Sequence, residues 1–101
     1  MASELTNWDA SEHLDSDEMI FAYMNAAIEE GDPSLFTAAL GDVARARGMS
    51  EIARTAGVSR ESLYRALSRE GNPEFATILK VMKAMGLRMS IGAASPDRPA
   101  A

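Results

Sequence analysis

Apolar residues recur at spacings of three and four through five stretches of this chain, separated by short breaks rich in Gly, Pro, Ser and Asp. That period marks amphipathic helices. In the first stretch Asp15 is placed to cap a helix, and Glu18 three residues later completes a capping box, with Leu14 and Met19 at the spacing of a hydrophobic staple. The helix runs to about Glu30, with Ile20, Tyr23, Met24, Ala27 and Ile28 on one face, and Gly31 ends it. Asp32-Pro33 restarts the chain as a cap followed by a proline, whose missing N–H costs nothing at the first helical position. Leu35, Phe36, Ala39, Leu40 and Val43 form the second apolar stripe, closed by Gly48. A short third helix is predicted from Ser50, its cap, to Ala56, with Gly57 as terminator. The fourth starts at the cap Ser59, is stapled by Val58 and Leu63, and ends near Gly71. Asn72-Pro73 repeats the cap-plus-proline device before Phe75, Ile78, Leu79, Met82 and Met85 line a fifth helix. Gly86 stops that helix, and Leu87 folds back on Met82 in a glycine-closed C-cap.

After Gly86 the period falls to two. Leu87, Met89 and Ile91 alternate with Arg88 and Ser90, the pattern of a short strand. A lone strand leaves its backbone groups unpaired, and no other segment reads as a strand. Pairing across a two-fold axis or with another protein would satisfy it; an irregular tail packing Leu87 and Met89 on the core is the alternative. The expected organisation is a flexible acidic arm over residues 1–13, an all-α domain of five helices with a short C-terminal β-strand over 14–91, and a disordered tail over 92–101.

Composition narrows the function classes. The chain has 101 residues, enough for one domain, and is 47% hydrophobic but only 6% aromatic, so Leu, Ile, Met and Ala must build the core. It has no Cys, which excludes disulfides, thiol catalysis and a Cys-based zinc site. No apolar run is long enough for a membrane span, and the acidic start resembles neither a secretory signal nor a transit peptide, so a soluble cytoplasmic protein is expected. His13 is the one His, so a hydrolytic triad lacks its parts. The Asp15–Glu18 cluster fails as a calcium loop, because Ile20 stands where that loop needs glycine. There is no phosphate-binding glycine loop. The pattern implies no enzyme, cofactor or metal.

The net charge of −5 hides a segregation. Residues 1–32 hold nine acids and no Lys or Arg, whereas residues 45–69 hold six Arg against Glu51 and Glu61. Association with a polyanion responds to the local field, since salt screens distant charge. The basic segment therefore suits phosphates, and the acidic one suits a basic protein; two ordinary solvated helix faces are the alternative.

The basic segment also carries a helix-turn-helix pattern. Only Gly57-Val58 and the flanking residues join the third and fourth helices. Ala53 offers the small side chain a steep crossing needs, Gly57 accepts positive φ at the corner, and Val58, Leu63 and Leu67 anchor the second helix with Ile52 opposite. The outward residues of that helix are then free to read DNA, because its N-terminal part enters the major groove. Arg60, Ser62 and Arg65 are the leading base-edge candidates. Glu61 either accepts from a cytosine amine or simply favours the helix N-terminus by its charge. Ser50 and Ser59, which also cap, suit phosphate oxygens, as do Arg54, Thr55, Tyr64 and Arg69; Tyr64 as half-buried packing is the alternative.

The stretch Met49-Ser50-Glu51-Ile52-Ala53-Arg54-Thr55-Ala56-Gly57-Val58-Ser59-Arg60-Glu61-Ser62-Leu63-Tyr64-Arg65-Ala66-Leu67-Ser68, followed by Gly71-Asn72-Pro73-Glu74-Phe75, resembles the antidote proteins of bacterial addiction modules, HigA-like antitoxins of the lambda-repressor-like superfamily. The flanking runs Leu35 to Met49 and Ile78 to Leu87 are similar to that family too, and the resemblance covers about residues 14–91. It implies a five-helix, lambda-repressor-like helix-turn-helix domain that works as a homodimer. It further implies a repressor of its own double-stranded operator DNA, which neutralises a small basic, mRNA-cleaving RelE-like or HigB-like toxin by direct binding. Operator reading would fall on Ser59 to Arg69, and Leu87, Met89 and Ile91 are candidates for a dimer or partner strand. Charge complementarity assigns the toxin to the acidic residues 1–32. A stand-alone or prophage repressor without a toxin would share the DNA-binding half.

Overall fold

The computed structural model describes residues 10–94. Ser16, not Asp15, opens the first long helix: its backbone is extended and its hydroxyl accepts from the Met19 N–H at 3.2 Å. The helix α1 spans Asp17–Glu30, with Asp17 and Glu18 in the first turn, where carboxylates complement the helix dipole. Moving the cap by one residue breaks the expected staple, and Met19 is exposed while Leu14 is buried. Upstream, Ala10–His13 form a single 3-10 turn, and residues 1–9 of the expected arm lie outside the described residues.

Helix α2 spans Pro33–Arg47 and begins as the sequence predicts, with Pro33 at its start and the Asp32 carboxylate accepting from the Ser34 N–H at 3.0 Å and hydroxyl at 2.9 Å. It is the central element: Leu40, Val43 and Ala44 have no exposed surface. Helix α3 spans Met49–Ala56 and follows with no linker, since Gly48 closes α2 and opens α3 at φ +106. Ser50 is therefore inside the first turn and does not cap; the Ile52 N–H bonds to the Gly48 carbonyl at 3.1 Å, and burial of Met49 draws the chain inward one residue before the predicted start.

Helix α4 spans Arg60–Ala66 and α5 spans Phe75–Ala84. α4 ends five residues before Gly71 because Ser68 turns the chain: its N–H and hydroxyl both bond the Arg65 carbonyl, at 3.3 and 2.9 Å, and Gly71 N–H bonds Ser68 O at 3.0 Å. α5 begins at Phe75, with Glu74 at its cap, so Pro73 sits in the irregular connection before the helix instead of in its first turn. Its inward face is Ile78, Val81, Met82 and Met85, and this leaves Phe75 and Leu79 on an exposed flank. Gly86, at φ +75, closes α5 as predicted, with the Leu87 N–H reaching back to the Met82 carbonyl at 2.8 Å.

The expected strand at Leu87, Met89 and Ile91 does not form: no strand occurs among the described residues. The described residues supply no second edge, so the alternating segment is irregular and joins no ladder. Among the described residues the class is all-α, with five α-helices after the single 3-10 turn. Residues 92–94 are irregular, and the rest of the expected tail, 95–101, lies outside the described residues.

Candidate nucleic-acid interface

The corner between α3 and α4 is built by backbone hydrogen bonds. Gly57 is left-handed at φ +78, ψ 30; its N–H bonds the Arg54 carbonyl at 3.2 Å, and Val58 N–H reaches Ala53 O at 3.0 Å. A side chain at Gly57 would meet no atom within 4 Å, so its requirement is conformational and not one of space. The next residue but one, Ser59, caps α4 by accepting from the Ser62 N–H at 3.0 Å. Two helices thus meet at a bend of three residues, Gly57 to Ser59.

Burial fixes which edge of α4 faces out. Ile52, Ala53, Leu63 and Leu67 are all buried in the core. α2 backs the pair closely, for a Cβ added at Gly41 would stand 2.6 Å from the Leu67 carbonyl oxygen. Gly71 is similarly confined, 2.7 Å from the Arg65 carbonyl oxygen by the same measure. Gly71 was read in the sequence only as the end of the fourth helix, and Gly41 was given no role there. The clue there was a glycine inside a helical pattern, which often marks close packing.

All ten predicted contact residues are exposed: Ser50, Arg54 and Thr55 on α3, Ser59 and Arg60, Glu61, Ser62, Tyr64 and Arg65 along α4, and Arg69 just beyond it. Tyr64 is 57% exposed, which removes it from the core. Arg60, Glu61, Tyr64, Arg65 and Ser68 line one shallow groove along α4.

Charge pairing then divides the six arginines of residues 45–69. Arg47 binds Asp17 at 2.8 Å, and Arg45 binds Asp42, which also accepts from the Tyr23 hydroxyl. Arg54 pairs with Glu51 on the same helix, both highly exposed, a pairing worth little against water. Arg60, Arg65 and Arg69 form no ion pair among the described residues. The unpaired positive charge of the segment therefore lies on and beside α4. The Asp32 carboxyl is held below its ordinary range chiefly by the Ser34 hydroxyl and then by the Ser34 N–H, with smaller contributions from the Leu35 N–H and the positive charge of Arg69.

The described residues hold no cluster of three or more His, Cys, Asp or Glu suited to a metal ion, and no described helix is long and apolar enough to cross a membrane. Leu87 is partly buried against the core, whereas Met89 and Ile91 are exposed, Ile91 almost fully at 97%.

Residues 4–93 match a protein family described as "Probable addiction module antidote protein". The chain belongs to this antidote family. A Haemophilus influenzae relative, described as an uncharacterized protein, is 53% identical to this antidote protein over 91 residues, 90% of this chain and 94% of that one. No solved structure matches. Membership implies a toxin partner in general terms.

Proposed function

We propose that this antidote protein is the antitoxin of a type II toxin–antitoxin module, of the HigA-like kind, with a lambda-repressor-like helix-turn-helix domain. It binds operator DNA as a homodimer, represses transcription, and neutralises a RelE-like or HigB-like mRNA-cleaving toxin by direct contact in the cytoplasm. It performs no catalysis itself. The observation that carries the DNA half of the reading is the outward edge of α4, where Arg60 and Arg65 stand exposed and unpaired among the described residues beside the cap Ser59.

Arg60, Ser62 and Arg65 read base edges, since a guanidinium can hold guanine by two hydrogen bonds. Ser50, Arg54, Thr55, Ser59, Tyr64 and Arg69 surround that edge and meet phosphates, and Glu61 sits in the first turn of α4, where its charge favours the helix. In a homodimer two α4 helices about 34 Å apart match a palindromic site. The irregular segment carrying Leu87, Met89 and Ile91 joins no ladder among the described residues, and its backbone beyond the Leu87 N–H offers an edge to which a second copy can add.

The test is a titration of the purified chain against DNA from upstream of its own gene, repeated across salt. Specific binding whose log affinity falls with log salt by about 0.9 per phosphate contact supports the reading. Absent or salt-insensitive binding would leave the arginines as solvated charge and remove the repressor role.

A further inference from the structure

Helix α1 presents an apolar stripe that the fold leaves uncovered. Phe21 and Ile28 are 47% and 51% exposed, and their seven-residue spacing puts them on one face. They form one wall of a groove whose other wall includes Met82, Leu87 and Arg88, with Met24 between. Its volume of about 410 Å³ has room for apolar side chains from another molecule. None of its lining residues belongs to the α4 edge.

Charge indicates what would fill it. Glu18 and Glu29 are exposed and share one side of α1, about 80° round the helix from the Phe21–Ile28 stripe, so that they flank the groove from outside it, about 16 Å apart along the helix. Neither forms an ion pair among the described residues. No Lys or Arg occurs in residues 1–32, and the groove's walls carry one charged side chain, Arg88, so the acidic charge lies on the rim that α1 provides. Two copies meeting α1 to α1 would bring these carboxylates against each other. A basic protein would instead place cations beside both.

We propose that the α1 groove is the surface that grips the toxin: an apolar ridge of a basic protein seats between Phe21 and Leu87, while Lys or Arg side chains flanking that ridge meet Glu18 and Glu29. This rests on the antitoxin reading above and gives the toxin a face separate from the DNA edge.

The test uses the full chain co-expressed with the protein encoded beside it, its module partner. Affinity for that partner, operator binding and particle mass are measured together. The Phe21→Glu/Ile28→Glu double variant should bind the partner about 30-fold more weakly. Its operator affinity and far-ultraviolet circular dichroism should match the parent. Glu18→Lys/Glu29→Lys should weaken the partner about tenfold at low salt, and the difference should shrink as salt rises. Unchanged partner affinity in either variant overturns the assignment. So does a fall in mass from dimer to monomer with partner binding kept, which gives the groove to a second copy. If the parent chain itself binds no partner, the antitoxin reading fails with the assignment; parent binding that survives both variants defeats the assignment alone.

Discussion

Gly41 and the Leu67 carbonyl are so close that no side chain fits between them: a Cβ at position 41 would lie 2.6 Å from that oxygen. The atom in the way is backbone, so relief requires α2 or the end of α4 to move. Gly41→Ala should therefore destabilise the protein despite its better helix propensity. Overpacking of this kind costs about 1–3 kcal/mol. Thermal unfolding followed by circular dichroism should show a melting temperature lowered by at least about 4 °C; an unchanged or raised value would mean that α2 and α4 are not in contact there.

Gly57 sets a different condition. Its left-handed φ of +78 is open to glycine and unfavourable to a β-branched residue, although space is available. The left-handed conformation costs L-residues about 1–2 kcal/mol, and Asn less. Gly57→Val should lose at least that much stability, and Gly57→Asn should recover part of it. Equal melting temperatures for the three proteins would remove the bend between α3 and α4.

Arg60→Ala and Arg65→Ala should each weaken operator binding, by about 1–3 kcal/mol where the side chain holds a guanine. Neither residue is buried or ion-paired in the described structure, so the melting temperature should stay at the parental value. Arg54→Ala should act differently. Its position on α3 beside Glu51 suits a phosphate, so its loss should lower the salt slope by about 0.9 and affect all sequences alike. Fluorescence anisotropy with specific and scrambled duplexes separates these outcomes.

Acid should act through the cap of α2. The folded Asp32 carboxyl titrates below its ordinary value of 3.8, mainly because the Ser34 hydroxyl and N–H bond its charged form. Its contribution to stability is thus fully present above the ordinary value and is lost as pH falls through the lower folded one. Melting temperatures of the parent and of Asp32→Asn should differ at neutral pH and converge in acid. A constant gap between the two curves would show that ionisation of Asp32 plays no part in the cap.

The five helices were readable because each has an amphipathic stripe and a glycine or cap at its ends. Asp32, Ser59 and Gly86 serve as their residue types predict. Local rules failed where neighbours compete. Asp15 and Ser16 are both good caps, and the choice fell to Ser16, whose hydroxyl meets Met19 N–H. Ser50 lost to Gly48 because Met49 is pulled into the core. Phe75 and Leu79 read as inward residues, but the α5 face centres on Val81, which the stripe had omitted. The exposure of the α4 edge was legible, since it follows from anchoring Leu63 and Leu67, but the helix ends at Ala66 and leaves Arg69 beyond it. The strand was not, because its pattern speaks of a pairing that a single chain cannot make. Gly41 was missed because its role depends on a backbone 26 residues away.

The shared glycine at position 48 leaves the chain no slack between α2 and α3. Inserting one residue there would lengthen a junction that has none to spare and displace α3 against α2, disturbing the burial of Met49, Ile52 and Ala53. Residues 72–74, irregular and unburied, carry no such constraint. Length changes between relatives should therefore collect after α4 and be absent at Gly48.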